Sequence, residues 1–333
     1  MADNILLDLM IGRIPGVKCN ERIELVKKFD SVDVFLAYSK RDIEVSLGRI
    51  LKGRSWTMDQ IRSMAEKDTV NTSKMGIKLV SWREKAYPPL LREIFDPPVL
   101  LFYRGVLPNP EKPLLAVVGT RKPTSKAAER AYNLGRELGE AGIPVVSGLA
   151  LGIDSMAHRG NIDAGAPSVA VLGSGPDYVY PVSNRGLARR ILEAGGLVVS
   201  EYPPGTGPRK GYFPARNRII SAMARGTVIV EAPEKSGALI TARFALDFNR
   251  DLWVDSVGLS PVKGAGTTRL AEEGARVIGS AAAILYDWNI VAAANERLSI
   301  EGNLGIEGNE MKNTQYPGEA IASSMANYLN IKL

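Results

Sequence analysis

Residues 114–120, Leu-Leu-Ala-Val-Val-Gly-Thr, begin the stretch that decides the fold. An apolar run ends in a glycine, and a helical segment over 125–141 follows. The same unit then recurs. PVVSG (144–148) precedes a helical stretch at 153–164, SVAVLG (168–173) one at 184–194, and GLVVSE (196–201) one at 214–225. TVIVEA (227–232) precedes 237–249, LWVDSVG (252–258) precedes 267–274, and ARVI (275–278) closes the series. These short runs are apolar on both faces, as parallel strands covered on two sides are. Strand–helix alternation at this spacing predicts βαβ units, and so an α/β chain with a doubly wound parallel sheet over residues 113–285.

Outward from that core, residues 1–75 carry apolar residues at helical spacing, such as Ile23, Val26 and Phe29. The spacing predicts helices at Asn4–Ile11, Asn20–Phe29, Ser31–Ala37, Lys40–Leu51 and Met58–Ala65, a small all-helical domain. Residues 76–112 are a joining segment with seven prolines between Pro88 and Pro113, too many for helix interiors. Its runs LVSW and VLLFY are too apolar for a free linker, so it is expected to pack extended against the core. Residues 286–333 form an acidic tail, loose over 299–318, with a possible last helix at its end.

The side-chain inventory excludes much chemistry. The 333 residues include one cysteine, Cys19, and one histidine, His158. No intrachain disulfide or Cys-rich zinc site can be built from them, and neither metal nor cofactor is expected. So little cysteine fits a reducing cytoplasm. The start MADNILLDLMIG lacks a signal-peptide pattern, and no apolar run approaches the ~20 residues that span a bilayer, so no membrane insertion is expected.

Ligands of open parallel sheets bind beyond the carboxyl ends of the strands. There the sequence places the loops Gly119–Ser125, Ser147–Gly152, Gly173–Asp177 and, before a helix, Glu231-Ala232-Pro233-Glu234-Lys235-Ser236-Gly237. Amides at a helix start beside Arg121 and Lys122 would make an anion site, with Thr124 or Ser125 as cap. Tyr178 stands where a dinucleotide fingerprint needs its third glycine, and GTRKPTSK lacks a P-loop ending. The formal charge is +6, and residues 201–225 hold five basic groups, Arg209, Lys210, Arg216, Arg218 and Arg225, against Glu201 alone. Tyr212 and Phe213 lie among them. Cations that track phosphates beside rings that stack bases suit single-stranded nucleic acid. The competing reading is a core Phe213 under a solvated basic face. Asp154 and His158, one helical turn apart, could orient a general base, but His158 is better read as pairing with Asp154 or a loop carbonyl and holding the Ser147–Gly152 loop. Cys19 is read as a small buried apolar residue.

The runs SGLALGIDSMAHRGNIDAGAPSVAVLGSGPDYVYPVSN, GGLVVSEYPPGTGP, FPARNRII and VIVEAPEKSGALITARFAL, with VVGTRKPT before them, resemble the DprA/Smf family of DNA-processing proteins over roughly residues 82–280. The resemblance implies an extended Rossmann-like core after a SAM-like helical domain. It implies non-catalytic, sequence-nonspecific single-stranded DNA binding and recombination mediation: RecA loading past single-strand-binding protein, and protection of incoming strands in natural transformation, by a homodimer. It assigns DNA contact to Arg121, Lys210 and Phe213. Gly119, Thr120, Ser147, Gly148, Arg216, Asn217, Arg218, Ser236 and Gly237 complete the expected nucleic-acid-binding set. Three departures stand out. In Ile14-Pro15-Gly16-Val17-Lys18 a lysine replaces the second hairpin glycine, Gly266-Thr267-Thr268 replaces Gly-Cys-Asn, and the short acidic tail is a poor winged helix. The alternative is a Rossmann-like enzyme acting on nucleoside monophosphates, with Asp154, His158 or Glu231 as base, although its Pro-Gly-Gly-x-Gly-Thr-x-x-Glu loop is missing. A third reading is an adaptor for which DNA is incidental.

Overall fold

The computed structural model describes residues 2–290 apart from Arg54 and Pro261. The chain enters through α1 (Ala2–Arg13), α2 (Cys19–Lys28), α3 (Val32–Leu36), α4 (Lys40–Leu47) and α5 (Met58–Lys74). α4 stops short of the expected Leu51 because Gly48, in the left-handed region at φ 65°, caps it. α5 runs a further nine residues past the expected Ala65. Its polar second half is held by tertiary contacts: Asp68 is buried against Arg13 of α1, whose Nε donates at 2.5 Å.

The joining segment supplies β1 (Lys78–Ser81), the short α6 (Pro89–Arg92) and β2 (Leu100–Gly105). β1 pairs antiparallel with β2, and β2 antiparallel with β6 (Leu197–Ser200), so the prolines flank two strands of the main sheet. Alternation explains why both runs are apolar throughout. Leu100 and Phe102 pack into the helical cluster around Leu7, Met10, Ile23 and Phe35, whereas Leu101 and Val80 join the core of the sheet. Asp8, Ser81 and Arg83 add a buried polar tie between α1 and β1.

The remaining strands are β3 (Leu115–Val118), β4 (Val145–Ser147), β5 (Val169–Val171), β7 (Gly226–Ile229), β8 (Asp251–Asp255) and β9 (Arg276–Ile278). With β6 they are all parallel, as the sequence predicts. The sheet order is β1-β2-β6-β5-β4-β3-β7-β8-β9. From β3 the chain steps outward to β6, returns to place β7 on the other side of β3, and steps outward again. The order therefore reverses at β3/β7, where a crevice opens beyond the carboxyl ends.

Six helices connect these strands: α7 (Ser125–Glu140), α8 (Ile153–Asp163), α9 (Arg185–Glu193), α10 (Tyr212–Met223), α11 (Gly237–Asp247) and α12 (Ala265–Glu272). α7 and α8 touch backbone to backbone. A Cβ on Gly160 would lie 1.9 Å from the Tyr132 carbonyl oxygen, so only glycine permits this approach, which fixes the β3 and β4 loops side by side. Residues through Gly279 form one compact unit, and a second begins at Ser280 with α13 (Ala281–Asp287). No helix among the described residues is long and apolar enough to cross a membrane. The expected loose stretch 299–318 and the terminal helix lie outside the described residues.

Candidate nucleic-acid interface

The crevice is a cleft of about 980 Å³. Gly119–Lys122 after β3, Ala150 and Asp154 after β4, Tyr180 after β5, Pro208–Lys210 and the start of α10 after β6, Pro233, Lys235, Ser236 and Gly237 after β7, and Val262 and Lys263 after β8 all contribute to its wall. Six lining cations, Arg121, Lys122, Arg209, Lys210, Lys235 and Lys263, are exposed, and among the described residues no ion pair is recorded for any of them. The lining acid, Asp154, is buried. Such a wall is unbalanced toward an extended polyanion.

Phe213 stands in this field half-exposed. Its ring edge lies over Gly173, where a Cβ would come within 3.1 Å. The Arg121 guanidinium sits 5.7 Å from the ring centroid and the Tyr180 ring 5.5 Å away. Arg121, Tyr180 and Phe213 also border a pocket of about 70 Å³ with Leu151 and Arg216. A cation and two aromatic rings are thereby brought together from two loops and the first turn of α10, more than thirty residues apart in sequence.

The cleft floor is fixed by buried polar groups. Asp154 accepts from the Gly148 amide at 3.1 Å and from the Ala150 amide at 3.4 Å. Arg216 donates to the Gly148 carbonyl at 2.7 Å and to the Val171 carbonyl. The Gly148–Ala150 turn is thus gripped through its amides by an acid and through its carbonyl by a base, and Leu149 takes φ 55° there while Asn184 donates to its carbonyl. Burial raises the Asp154 pKa against the opposing pull of Arg216. Burial also draws the Arg216 guanidinium down to about 10, which leaves it charged at neutral pH. Asn217, on the cleft wall, donates to the Gly237 carbonyl at 3.2 Å and ties α10 to α11.

The cleft unites Gly119, Thr120, Arg121, Lys210, Phe213, Arg216, Asn217, Ser236 and Gly237 from the expected set, with Gly148 on the small adjoining pocket. Arg216 belongs to the floor rather than to the free cations. Ser147 is wholly buried and donates to the Val117 carbonyl at 2.7 Å. Arg218 does not reach the cleft. It is 4% exposed and donates to Asp96 at 3.0 Å, to Glu201 at 2.7 Å and to the Cys19 sulfur at 3.4 Å. Burial opposes its charge, but Glu201, Cys19 and Asp96 outweigh that and raise its pKa. Cys19 is correspondingly a half-buried polar partner rather than an apolar filler.

Asp154 grips the Gly148–Ala150 turn, while His158 sits against the Ser147 main chain at the end of β4. The imidazole is wholly buried, its Nδ1 lies 2.7 Å from Ser168 Oγ, and burial followed by the charge of Arg216 pulls its pKa down to about 3. Part of the expected anion seat on amides at the start of α7 is taken by side chains. Thr124 Oγ1 caps Ala127 at 3.1 Å, and the buried Glu231 carboxylate accepts from the Thr124 amide at 2.8 Å and its hydroxyl at 3.0 Å. The Glu231 carbonyl takes the Thr120 amide at 2.7 Å. Both ends of the loop carrying Arg121 and Lys122 therefore hang on Glu231. In the sequence Glu231 is legible as the start of a loop on the ligand edge and as a candidate base, not as the support of the Arg121 loop; its place after β7, across the reversal from β3, is the available signal. Lys235, within that same loop, and Lys263 carry no pattern that marks them as cleft cations.

The sequence profile of the DNA recombination-mediator protein A family matches residues 78–289. The chain belongs to that family. The family's DNA processing protein DprA of Bacillus subtilis is 34% identical over 266 residues, covering 75% of this chain and 88% of that protein. DprA of Streptococcus pneumoniae is 38% identical over 223 residues, covering 66% and 78%. Protein Smf of a Synechocystis strain is 44% identical over 198 residues, which cover 58% of this chain but only 49% of that longer protein. The crystal structure of Streptococcus pneumoniae DprA superposes with a TM-score of 0.71 at 31% identity, covering 86% of this chain and 98% of that one. DprA of Helicobacter pylori, whose structure was described for its single-stranded DNA binding mode, gives a TM-score of 0.55 at 30% identity, covering 64% and 95%.

Proposed function

We propose that the cleft binds single-stranded DNA without sequence specificity, and that the protein mediates recombination rather than catalysing a reaction. One observation carries the reading: six exposed cations, with no ion pair among the described residues, line the same cleft as the half-exposed Phe213 at the reversal point of the sheet. Phosphates are taken by side-chain cations, because several loop amides are already spent on Thr124, Glu231 and Asp154. A base stacked on Phe213 contributes ~1–3 kcal/mol and tolerates any sequence. Membership of the family and the single-stranded DNA binding of the Helicobacter pylori relative support the reading.

A nucleoside-monophosphate enzyme needs a free acid or base in the cleft. His158 is buried and neutral, Asp154 is spent on amides and Glu231 on Thr124, which disfavours that alternative. Family resemblance extends the proposal to RecA loading on strands covered by single-strand-binding protein, to a role in natural transformation, to a homodimer and to a cytoplasmic setting. The test is fluorescence anisotropy with unstructured single-stranded and matched double-stranded oligonucleotides at two salt concentrations. Arg121→Glu and Lys210→Glu should each abolish single-strand binding. For the wild type, six phosphate contacts at ~0.7 each give a log–log salt slope of about −4. Unchanged affinity in both variants refutes the assignment.

A further inference from the structure

Tyr180 is displayed rather than packed. It is 44% exposed, beside Leu151 at 46%, and its hydroxyl makes no hydrogen bond among the described residues. A ring placed there only to fill space gains little, because much of its apolar area stays in water. The chain on either side of it is nevertheless fastened. Before it, Ser174 Oγ donates to the Tyr178 carbonyl at 2.6 Å, and Val179 packs on the small cluster of Leu149, Leu172 and Leu187. After it, the Asn184 amide donates to the Pro181 carbonyl at 3.0 Å, and Asn184 Nδ2 donates to the Leu149 carbonyl at 2.9 Å. The backbone is held against the β4 loop while the ring is left to solvent. An aromatic ring ordered in advance loses little entropy when a flat ligand settles on it.

The ring belongs to the cleft. Tyr180 lines both the cleft and the pocket of about 70 Å³, and so do Arg121, Phe213 and Arg216. The pocket is several times the ~10–15 Å³ that one water needs. Two guanidiniums and no acid line it. The Tyr180 and Phe213 planes are tilted by 44° at a centroid separation of 5.5 Å, so neither ring covers the other's face as parallel stacking would. That separation exceeds the ~3.4 Å per nucleotide of a stacked strand, which lets neighbouring bases rest on different rings. Arg121, 5.7 Å from the Phe213 centroid and on the wall of both spaces, is placed for the phosphate between them. We propose that Tyr180 is a second base-stacking ring: the strand that lays one base on Phe213 lays a neighbouring base on Tyr180, against Leu151, with the intervening phosphate on Arg121. The inference rests on the cleft holding single-stranded DNA.

The test uses the full chain, oligo-dT of about 16 nucleotides, Tyr180→Leu, Tyr180→Phe and, as the cleft control, Arg121→Glu. Tyr180→Leu keeps apolar bulk but loses the ring, and should weaken binding about fivefold or more at an unchanged salt slope. Tyr180→Phe keeps the ring and should bind as the wild type does. A loss that came through a displaced Arg121 would instead lower the slope by about 0.7. In a Phe213→Leu background, measured at low salt, Tyr180→Leu should still weaken binding, because two bases on two rings contribute separately. Independently, oligo-dT with photoreactive bases should crosslink to the peptide carrying Tyr180 in the wild-type protein. Unchanged affinity for Tyr180→Leu, an equal loss in Tyr180→Phe, a lowered slope, no further loss in the Phe213→Leu background, or no crosslink at that peptide overturns the second ring. No change for Arg121→Glu overturns the reading of the cleft itself.

Discussion

Replacing Glu231 by alanine separates positioning from simple electrostatics, because the two act in opposite directions. The carboxylate is 1% exposed and accepts from the Thr124 amide at 2.8 Å and hydroxyl at 3.0 Å. Its removal strips both donors at the rear of the Arg121–Lys122 loop, while the main-chain bond from Thr120 at the front remains. Leaving a part-buried donor unmade costs about 1–3 kcal/mol, and the loop can escape that cost only by moving. Loss of a positioned Arg121 contact worth ~1.4 kcal/mol weakens DNA binding about tenfold. Deletion of one negative charge ~10 Å from a phosphate would instead tighten binding by ~0.4 kcal/mol, or about twofold, in a water-like dielectric. The expected outcome is a five- to tenfold weaker complex with a shallower salt slope and a lower melting temperature. Glu231→Gln, which keeps an acceptor, should fall between, and in an Arg121→Ala background the Glu231→Ala effect on DNA should vanish. Anisotropy titrations of these variants at two salt concentrations measure each quantity. Equal or tighter binding by Glu231→Ala at unchanged slope would refute the positioning argument.

Other consequences follow from buried groups. Arg218→Met strands Glu201 without its cation and should cost about 3–5 kcal/mol in urea unfolding, with DNA affinity below the transition nearly unchanged. Gly148→Ala places a Cβ 2.5 Å from the Arg216 guanidinium, so thermal melting should fall and single-strand binding weaken together as the cleft floor is displaced. His158 titrates near 3 in the folded chain against an ordinary 6.5, so the unfolded chain binds its proton first. The stability it contributes is complete above about pH 6.5 and is lost as pH falls toward 3, at up to ~1.36 kcal/mol per pH unit. Urea unfolding at pH 5 and pH 7 should show a smaller pH difference in His158→Asn than in the wild type.

Seven parallel strands and the loops beyond them were legible because each strand buries both faces, which leaves a local signature such as Leu115–Val118. Gly119–Lys122 and the cationic stretch around Lys210 and Phe213 were legible for a related reason: strand ends on a parallel sheet share one edge. Sequence alone therefore determined the parallel part of the sheet, the edge where its loops gather and the sign of the charge there. It did not determine which cations are free. Arg218 and Lys210 look alike as letters in one basic run, yet Arg218 is held by Asp96 and Glu201, residues 122 and 17 positions away. Nor did it show that β2 closes antiparallel on β6, that Asp68 prolongs α5 through Arg13, or that Glu231 holds the Arg121 loop. Periodicity and composition record what a residue does with its chain neighbours and with water. The choice of a buried charge's partner depends on distances that only the folded chain creates.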